Sequence, residues 1–129
     1  ADDSGLCVPA LDGSPGIYSS RFAGETASDL ENNQKLLKEL ENLDRDKRKA
    51  YFYCSLVYID QEGQKFFFSG VCRGQIIKSF QGKGGFGYDP LFVPEGFNKT
   101  FSELTTELKN KISHRARASQ EWLSFMKDN

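Results

Sequence analysis

Two runs rich in β-branched and aromatic residues, Tyr51 to Asp60 and Lys65 to Ile77, constrain this chain more than anything else in it. Gln61-Glu62-Gly63-Gln64 separates them, with glycine at the second position of a two-residue turn, so they read as an antiparallel hairpin. That turn sets Cys54 opposite Val71 and sends Cys72 to the other face, which keeps the two thiols apart. Apolar side chains fall on both faces: Tyr53, Val57 and Ile59 on one, Phe52, Leu56 and Tyr58 on the other. The hairpin is therefore expected at the centre of a sheet covered on both sides.

Around it the helices are legible. From Thr26 to Leu43, Leu30, Leu36, Leu37, Leu40 and Leu43 recur at helical spacing, which predicts a scaffold helix. The mixed-sign run from Asp44 to Lys49 that follows reads as a solvated linker. Thr100-Phe101-Ser102-Glu103 has the pattern of a capping box and predicts a short helix start. The last helix is expected to begin near Ser113 as N-cap and to bury a stripe of Trp122, Leu123 and Phe125 or Met126. Asn98-Lys99-Thr100 matches a glycosylation acceptor, a match discounted without export signals.

At 129 residues the chain has the length of one domain and enough surface to bury a core without staples. Its 17 basic and 18 acidic residues give a net charge of -1, which excludes a broad polyanion-binding face and hence a nucleic-acid polymer as partner. Cys7, Cys54 and Cys72 are odd in number and match no metal spacing, so they read as reduced thiols of a cytoplasmic protein. No apolar run reaches the length of a membrane span, and no membrane partner is expected. Ala1 leads straight into Asp2-Asp3-Ser4-Gly5-Leu6, as a fragment or a processed chain would.

Three stretches carry candidate chemistry. Asp2 and Asp3 are neighbours on an extended segment, so at most one of them faces a given site. Paired carboxylates suit a hard cation such as magnesium, and one can act as general base, although a solvated acidic turn has the same composition. Asp12 to Gly24 is an irregular segment whose Ile17, Tyr18 and Phe22 need somewhere to pack, with Arg21 as a candidate anion contact. From Lys83 to Phe92, glycines surround Phe86, and Pro90 is expected to hold Asp89 extended, so that Phe86, Tyr88 and Asp89 face one ligand; a tight loop between strands is the plainer alternative. Finally, Lys109, Lys111, His114 and Arg115 crowd the start of the last helix, where the dipole disfavours cations. That conflict points to a negatively charged or electron-rich ligand, against the alternative of a basic surface cluster.

Some chemistries drop out. Gly82 to Gly87 satisfies G-x-G-x-x-G, but Pro90 to Pro94 resumes an extended chain where a dinucleotide fingerprint would open a helix. There is no HExxH or GxSxG, and one histidine without a nucleophile elbow leaves covalent catalysis unsupported.

Taken together and in order, Asp2-Asp3-Ser4-Gly5-Leu6 with Gly13-Ser14-Pro15-Gly16-Ile17-Tyr18-Ser19-Ser20-Arg21-Phe22, then Gly85-Phe86-Gly87-Tyr88-Asp89-Pro90-Leu91-Phe92, then Lys109 with Ser113-His114-Arg115, closely resemble the inosine/xanthosine triphosphate pyrophosphatase family. The resemblance implies an α/β fold: a mixed, twisted central sheet flanked by helices, in two lobes with a nucleotide cleft between them. It implies Mg2+-dependent hydrolysis of non-canonical purine nucleoside triphosphates (ITP, dITP, XTP) to the monophosphate and pyrophosphate, by a cytoplasmic homodimer. Asp3 then matches the general base, with Asp2 and Asp3 at the metal. Phe86 matches the base-stacking aromatic, with Ser4, Gly87, Tyr88 and Asp89 as substrate contacts. Lys109, Ser113, His114 and Arg115 match the residues that read the 6-keto purine. The family opens with a strand, a Ser/Thr-x-Asn-x-x-Lys phosphate loop and a metal-binding glutamate, which no segment here fits. Residues 1–129 are thus expected to be a single domain, the C-terminal part of the enzyme, lacking its first third. The alternative function is a catalytically inactive nucleotide-binding or assembly fragment.

Overall fold

A computed structural model describes residues 2–83 and 87–128, with the backbone alone for Asp2 and Asp128. The hairpin is its centre, with a register one residue away from the expected one. Strands β2 (Lys49–Ile59) and β3 (Lys65–Ile76) pair antiparallel, with Ile59 opposite Lys65 and Cys54 opposite Gly70. Asp60 causes the shift. Its Oδ1 accepts from the backbone N–H groups of Glu62 and Gln64, each at 2.9 Å, and Gly63 takes φ +83. Three residues therefore make the turn, where a two-residue turn is expected. Cys72 consequently lies opposite Phe52 and on the same face as Cys54, not the other one, and none of the three cysteines forms a disulfide.

Strand β1 (Asp2–Cys7) adds to β2, and β4 (Phe92–Pro94) adds to β3, giving the order β1-β2-β3-β4. Every pairing among the described residues is antiparallel, so the sheet is not the mixed one expected. The long connection from β1 to β2 brings the chain back in the opposite sense instead of crossing over in parallel.

Helix α1 (Asp29–Leu40) is shorter than its leucine pattern. Ser28 caps it in a reciprocal box with Glu31, and Leu36 and Leu40 enter the core while Leu30 faces solvent. Expected at Thr100, the next helix starts later. The Thr100 N–H does donate to Glu103 Oε1 (3.0 Å), but the Thr100 hydroxyl donates to the Gln81 carbonyl (2.8 Å) and is spent there. Helix α2 (Thr106–Ile112) begins instead under the Thr105 hydroxyl, which accepts from Leu108 N–H (3.1 Å). Helix α3 (His114–Asp128) follows, and it seats Ala118, Trp122 and Phe125 against the hairpin while Leu123 and Met126 stay exposed.

The helices share one face of the sheet. Leu36 and Leu40 of α1 join Leu6, Phe52, Cys72 and Ile76 in one apolar cluster, and α3 crosses β3 at Gly70. A Cβ at Gly70 would collide with the His114 carbonyl and the Ala118 nitrogen, so glycine is what lets the helix lie directly on the strand. The opposite face bears the Gly16–Arg21 turn over Gly5 of β1 but leaves Ile59 and a 72% exposed Phe67 of the hairpin to solvent, contrary to the expected double coverage.

Two further expectations fail for physical reasons. Arg48, within the supposed solvated linker, is 2% exposed. Its Nε, Nη1 and Nη2 donate to the carbonyls of Ile76 (2.8 Å), Leu40 (2.5 Å) and Ile77 (2.7 Å), tying the end of α1 to the end of β3. Ile17 and Tyr18 remain exposed, because their short turn (Gly16–Arg21) is held to β1 by polar contacts: Ser19 Oγ accepts from Leu6 N–H (2.9 Å) and donates to the Gly16 carbonyl (2.7 Å).

Candidate active site

Strand alternation decides which face of the sheet each carboxylate and hydroxyl near the N-terminus can serve. Asp3 pairs with Ser55 and Ser4 with Cys54, so Asp3 projects toward the open face and Ser4 toward the face that carries α3. Asp3 is exposed, and its charge adds to the burial that raises the Tyr53 phenol above its ordinary pKa. The Asp2 side chain lies outside the described residues.

Ser4 meets the start of α3. Arg115 Nη2 donates to Ser4 Oγ at 2.9 Å, joining segments 111 residues apart. His114 is fixed from below by Phe52 of β2, ring stacked on ring at 5.0 Å and 15°. Ser113 is buried and serves as the expected N-cap, its hydroxyl accepting from Ala116 N–H at 3.1 Å. The adjacent α2 changes the account of the cations. Lys109 and Lys111 lie in the last turn of α2, where the dipole favours positive charge, so the conflict is confined to His114 and Arg115.

Lys109 reaches the second block, where its Nζ forms an ion pair with Asp89 Oδ2. Asp89 is 5% exposed and begins a 3-10 turn (Asp89–Leu91) closed by Leu91 N–H to the Tyr88 carbonyl at 3.0 Å. Pro90 therefore does not hold Asp89 extended as expected; the turn and the Lys109 contact fix it. Tyr88 is 4% exposed and belongs to the core. Its hydroxyl donates to the Ser19 carbonyl (2.6 Å), and burial drives its pKa far upward, so it stays protonated. Gly84, Gly85 and Phe86, including the candidate stacking ring, lie outside the described residues.

Helix α1 contributes contacts that sequence reasoning missed. Asn33, 2% exposed, donates through Nδ2 to the Gly87 carbonyl (2.8 Å), while Asp29 Oδ2 accepts from Gly87 N–H (2.9 Å). Gly87 sits at φ +61, a backbone state that suits glycine. Two asparagines in the middle of a helix, where Asn is a poor helix former, were the available signal. Arg21, the other candidate anion contact, rests over the Tyr18 ring at 5.0 Å and touches none of these groups.

In sum the structure links all three blocks through Arg115–Ser4 and Lys109–Asp89. It sets His114 and Arg115 beside the strand that carries Asp3 and turns the Asp3 side chain to the opposite face. Such a set can read a polar planar ring on one side of β1 and offer a carboxylate on the other.

Known proteins resemble this chain in sequence and in fold. A family model described as the Ham1 family matches residues 1–125. A dITP/XTP pyrophosphatase of Clostridium perfringens is 50% identical over all of this chain and 61% of its own length, and one of Geobacter sulfurreducens is 50% identical over 99% and 62%. The chain thus spans about three fifths of the length of the curated relatives it matches. Among solved structures, the Ham1 protein of Staphylococcus aureus superposes with a TM-score of 0.94 at 42% identity, covering 99% of this chain and 66% of that one. A HAM1 protein from Coxiella burnetii gives 0.92 at 39% identity, covering 100% and 66%.

Proposed function

The chain belongs to the Ham1 family, and from that membership we propose that it hydrolyses non-canonical purine nucleoside triphosphates, dITP, ITP and XTP, to the monophosphate and pyrophosphate. One observation carries the reading most directly: Arg115 bonded to Ser4, which ties the helix start that bears His114 to the strand that bears Asp3. The names of relatives at about half identity, dITP/XTP pyrophosphatases, support the substrate class.

On this reading the purine lies on the α3 side of β1, stacked on Phe86 and bounded by Gly87, Tyr88 and Asp89. Lys109, Ser113, His114 and Arg115 donate toward its 6-keto edge, and Ser4 orients the Arg115 fork. The 6-amino group of adenine offers that edge donors in place of an acceptor, so ATP is rejected. The triphosphate passes the β1 edge toward Asp3, which takes the proton of the attacking water.

Mg2+ fits the donor set. Among the described residues no three His, Cys, Asp or Glu side chains form a metal cage, and an ion of this kind is commonly held by one or two carboxylates with phosphate and water completing its shell. Asp3 is the proposed protein ligand on the open face, with Asp2 beside it in the same strand, and the bound ion would neutralise charge on the triphosphate. We take residues 1–129 as a single domain of a cytoplasmic, homodimeric enzyme whose nucleotide cleft lies between two lobes. No helix of the described residues is long and apolar enough to cross a membrane.

Pyrophosphate release from dITP, ITP, XTP, ATP and GTP, with magnesium and with EDTA, tests the proposal. The expected result is metal-dependent release from the first three and little from ATP, while GTP, which keeps the 6-keto group, reports whether the 2-position is read as well. Asp3→Asn should lower kcat by about 10²-fold or more, and Phe86→Ala should weaken nucleotide binding by about 1–3 kcal/mol. Equal rates on ATP and ITP would remove the base-reading role. No release from any substrate would remove the hydrolase.

A further inference from the structure

A second concave feature lies on the open face of the sheet. It is a cleft of about 860 Å³ whose walls include Arg45, Lys49, Tyr51, Arg73, Glu95 and Phe97, and none of the candidate active-site residues. Lys49 and Tyr51 open β2, Arg73 stands directly across from Tyr51 on β3, and Phe97 comes from the turn after β4. The distance along β2 from Tyr51 to Ser55, the partner of Asp3, is four residues, or roughly 13 Å at the rise of a strand. The cleft and the catalytic carboxylate are therefore separate places on one face.

Its charge is out of keeping with the molecule. Three cations meet one carboxylate in the walls of a chain whose net charge is -1. An adjoining cavity of about 160 Å³ shares Arg73, Glu95 and Phe97 and adds Arg117 from α3. The ion pairs among the described residues are Lys109–Asp89 and Lys111–Glu107, and neither draws on these cations. Exposed like charges repel one another, so gathering them in a concavity costs stability unless an anion is gathered with them. Arginine forks present paired donors that match phosphate oxygens, and the Tyr51 and Phe97 rings supply flat apolar wall.

We propose that this cleft binds a compact oligophosphate, free or as the tail of a nucleotide, at a site distinct from the one that reads the purine. The proposal does not depend on the hydrolase reading.

Backbone amide spectra of the 129-residue chain, titrated with sodium pyrophosphate in EDTA, test it. Saturable shifts are expected at residues 49–51, 73–75 and 95–97, unchanged by Arg115→Ala and weakened by added salt. The double variant Lys49→Glu, Arg73→Glu should raise the dissociation constant about tenfold or more. Both side chains are exposed, so the variant should keep the parent spectrum elsewhere. A nucleoside diphosphate forms the second arm: further shifts of the Tyr51 and Phe97 rings would identify a nucleotide ligand, and equal shifts a free anion. Shifts confined to residues 109–115, no saturation, or unaltered binding in the double variant would overturn the proposal.

Discussion

Helices α1 and α3 each carry five Asp, Glu, Lys or Arg residues and end up under opposite rules. Asp29 and Glu31 occupy the first turn of α1, Ser28 caps it, and the Arg48 guanidinium bonds the Leu40 carbonyl at its C-terminal end, so each end meets the charge its dipole favours. The first turn of α3 holds His114 and Arg115 and no acidic residue. An element whose task is packing satisfies its local preferences, and on the proposed reading one that violates them does so where side chains are held for a ligand.

The largest effect that bears on this contrast belongs to Arg48. Arg48→Met would strip three buried carbonyls of their donor, and the expected loss is about 3–5 kcal/mol in urea denaturation. Burial pushes the guanidinium pKa down, and the buried charge is met by three carbonyl oxygens. A loss under about 1 kcal/mol would place Arg48 with ordinary surface arginines and dissolve the contrast.

How much of this was legible in the sequence depended on the reach of the interactions involved. The leucine spacing located α1, because periodicity is local, but it overran both ends, since the cap is set by Ser28 and Glu31 and Leu30 faces water. The hairpin was legible and its register was not, because one side chain, Asp60, reorganised the turn. The Thr100 hydroxyl was lost to a carbonyl 19 residues away, which no local pattern records. At the site, the structure joins Ser4 to Arg115 and Asp89 to Lys109, residues that motif order had set in three separate blocks. The clamp of Asn33 and Asp29 on Gly87 spans 54 and 58 residues, and its one local trace was the pair of asparagines inside α1.

Gly70→Ala probes what keeps α3 in its adverse place. The added methyl would strike backbone atoms of His114 and Ala118, which yield only if the helix start moves. An overpacking cost of about 1–3 kcal/mol is expected, with the Arg115–Ser4 contact lengthened. Thermal unfolding reads the first and the Ser4 resonances the second; an unchanged helix position would show that β3 and α3 are less tightly fitted than the glycine implies.

Arg115→Lys separates site from scaffold within α3. Because Arg115 is exposed, stability should stay within about 0.5 kcal/mol. The point charge of lysine cannot reproduce a planar fork, so affinity for ITP should fall about tenfold while Asp3-dependent chemistry on bound substrate persists. Loss of stability with no loss of affinity would reverse the assignment and make Arg115 the structural residue.

The smallest effect lies at the favourable end of α1. Ser28 N–H donates to Glu31 Oε1 (3.0 Å), and Glu31 N–H donates to Ser28 Oγ (3.2 Å). The Ser28 N–H bond foremost, and then the Ser28 hydroxyl's bond to the same Glu31 Oε1 (3.1 Å), hold the Glu31 carboxyl below its ordinary 4.5. A depressed folded-state pKa means that the carboxylate's contribution is complete above pH 4.5 and fades as pH falls through the folded value. Ser28→Ala should cost about 1 kcal/mol at neutral pH. Glu31→Gln should flatten part of the acid limb of Tm against pH without shifting its neutral plateau by more than the cap is worth. Since α3 lacks an acid in its first turn, no substitution there should alter that limb in the same way. If Arg115→Lys changed it as Glu31→Gln does, the two helix starts would share one electrostatic logic, and the adverse charge at α3 would need another explanation than a ligand.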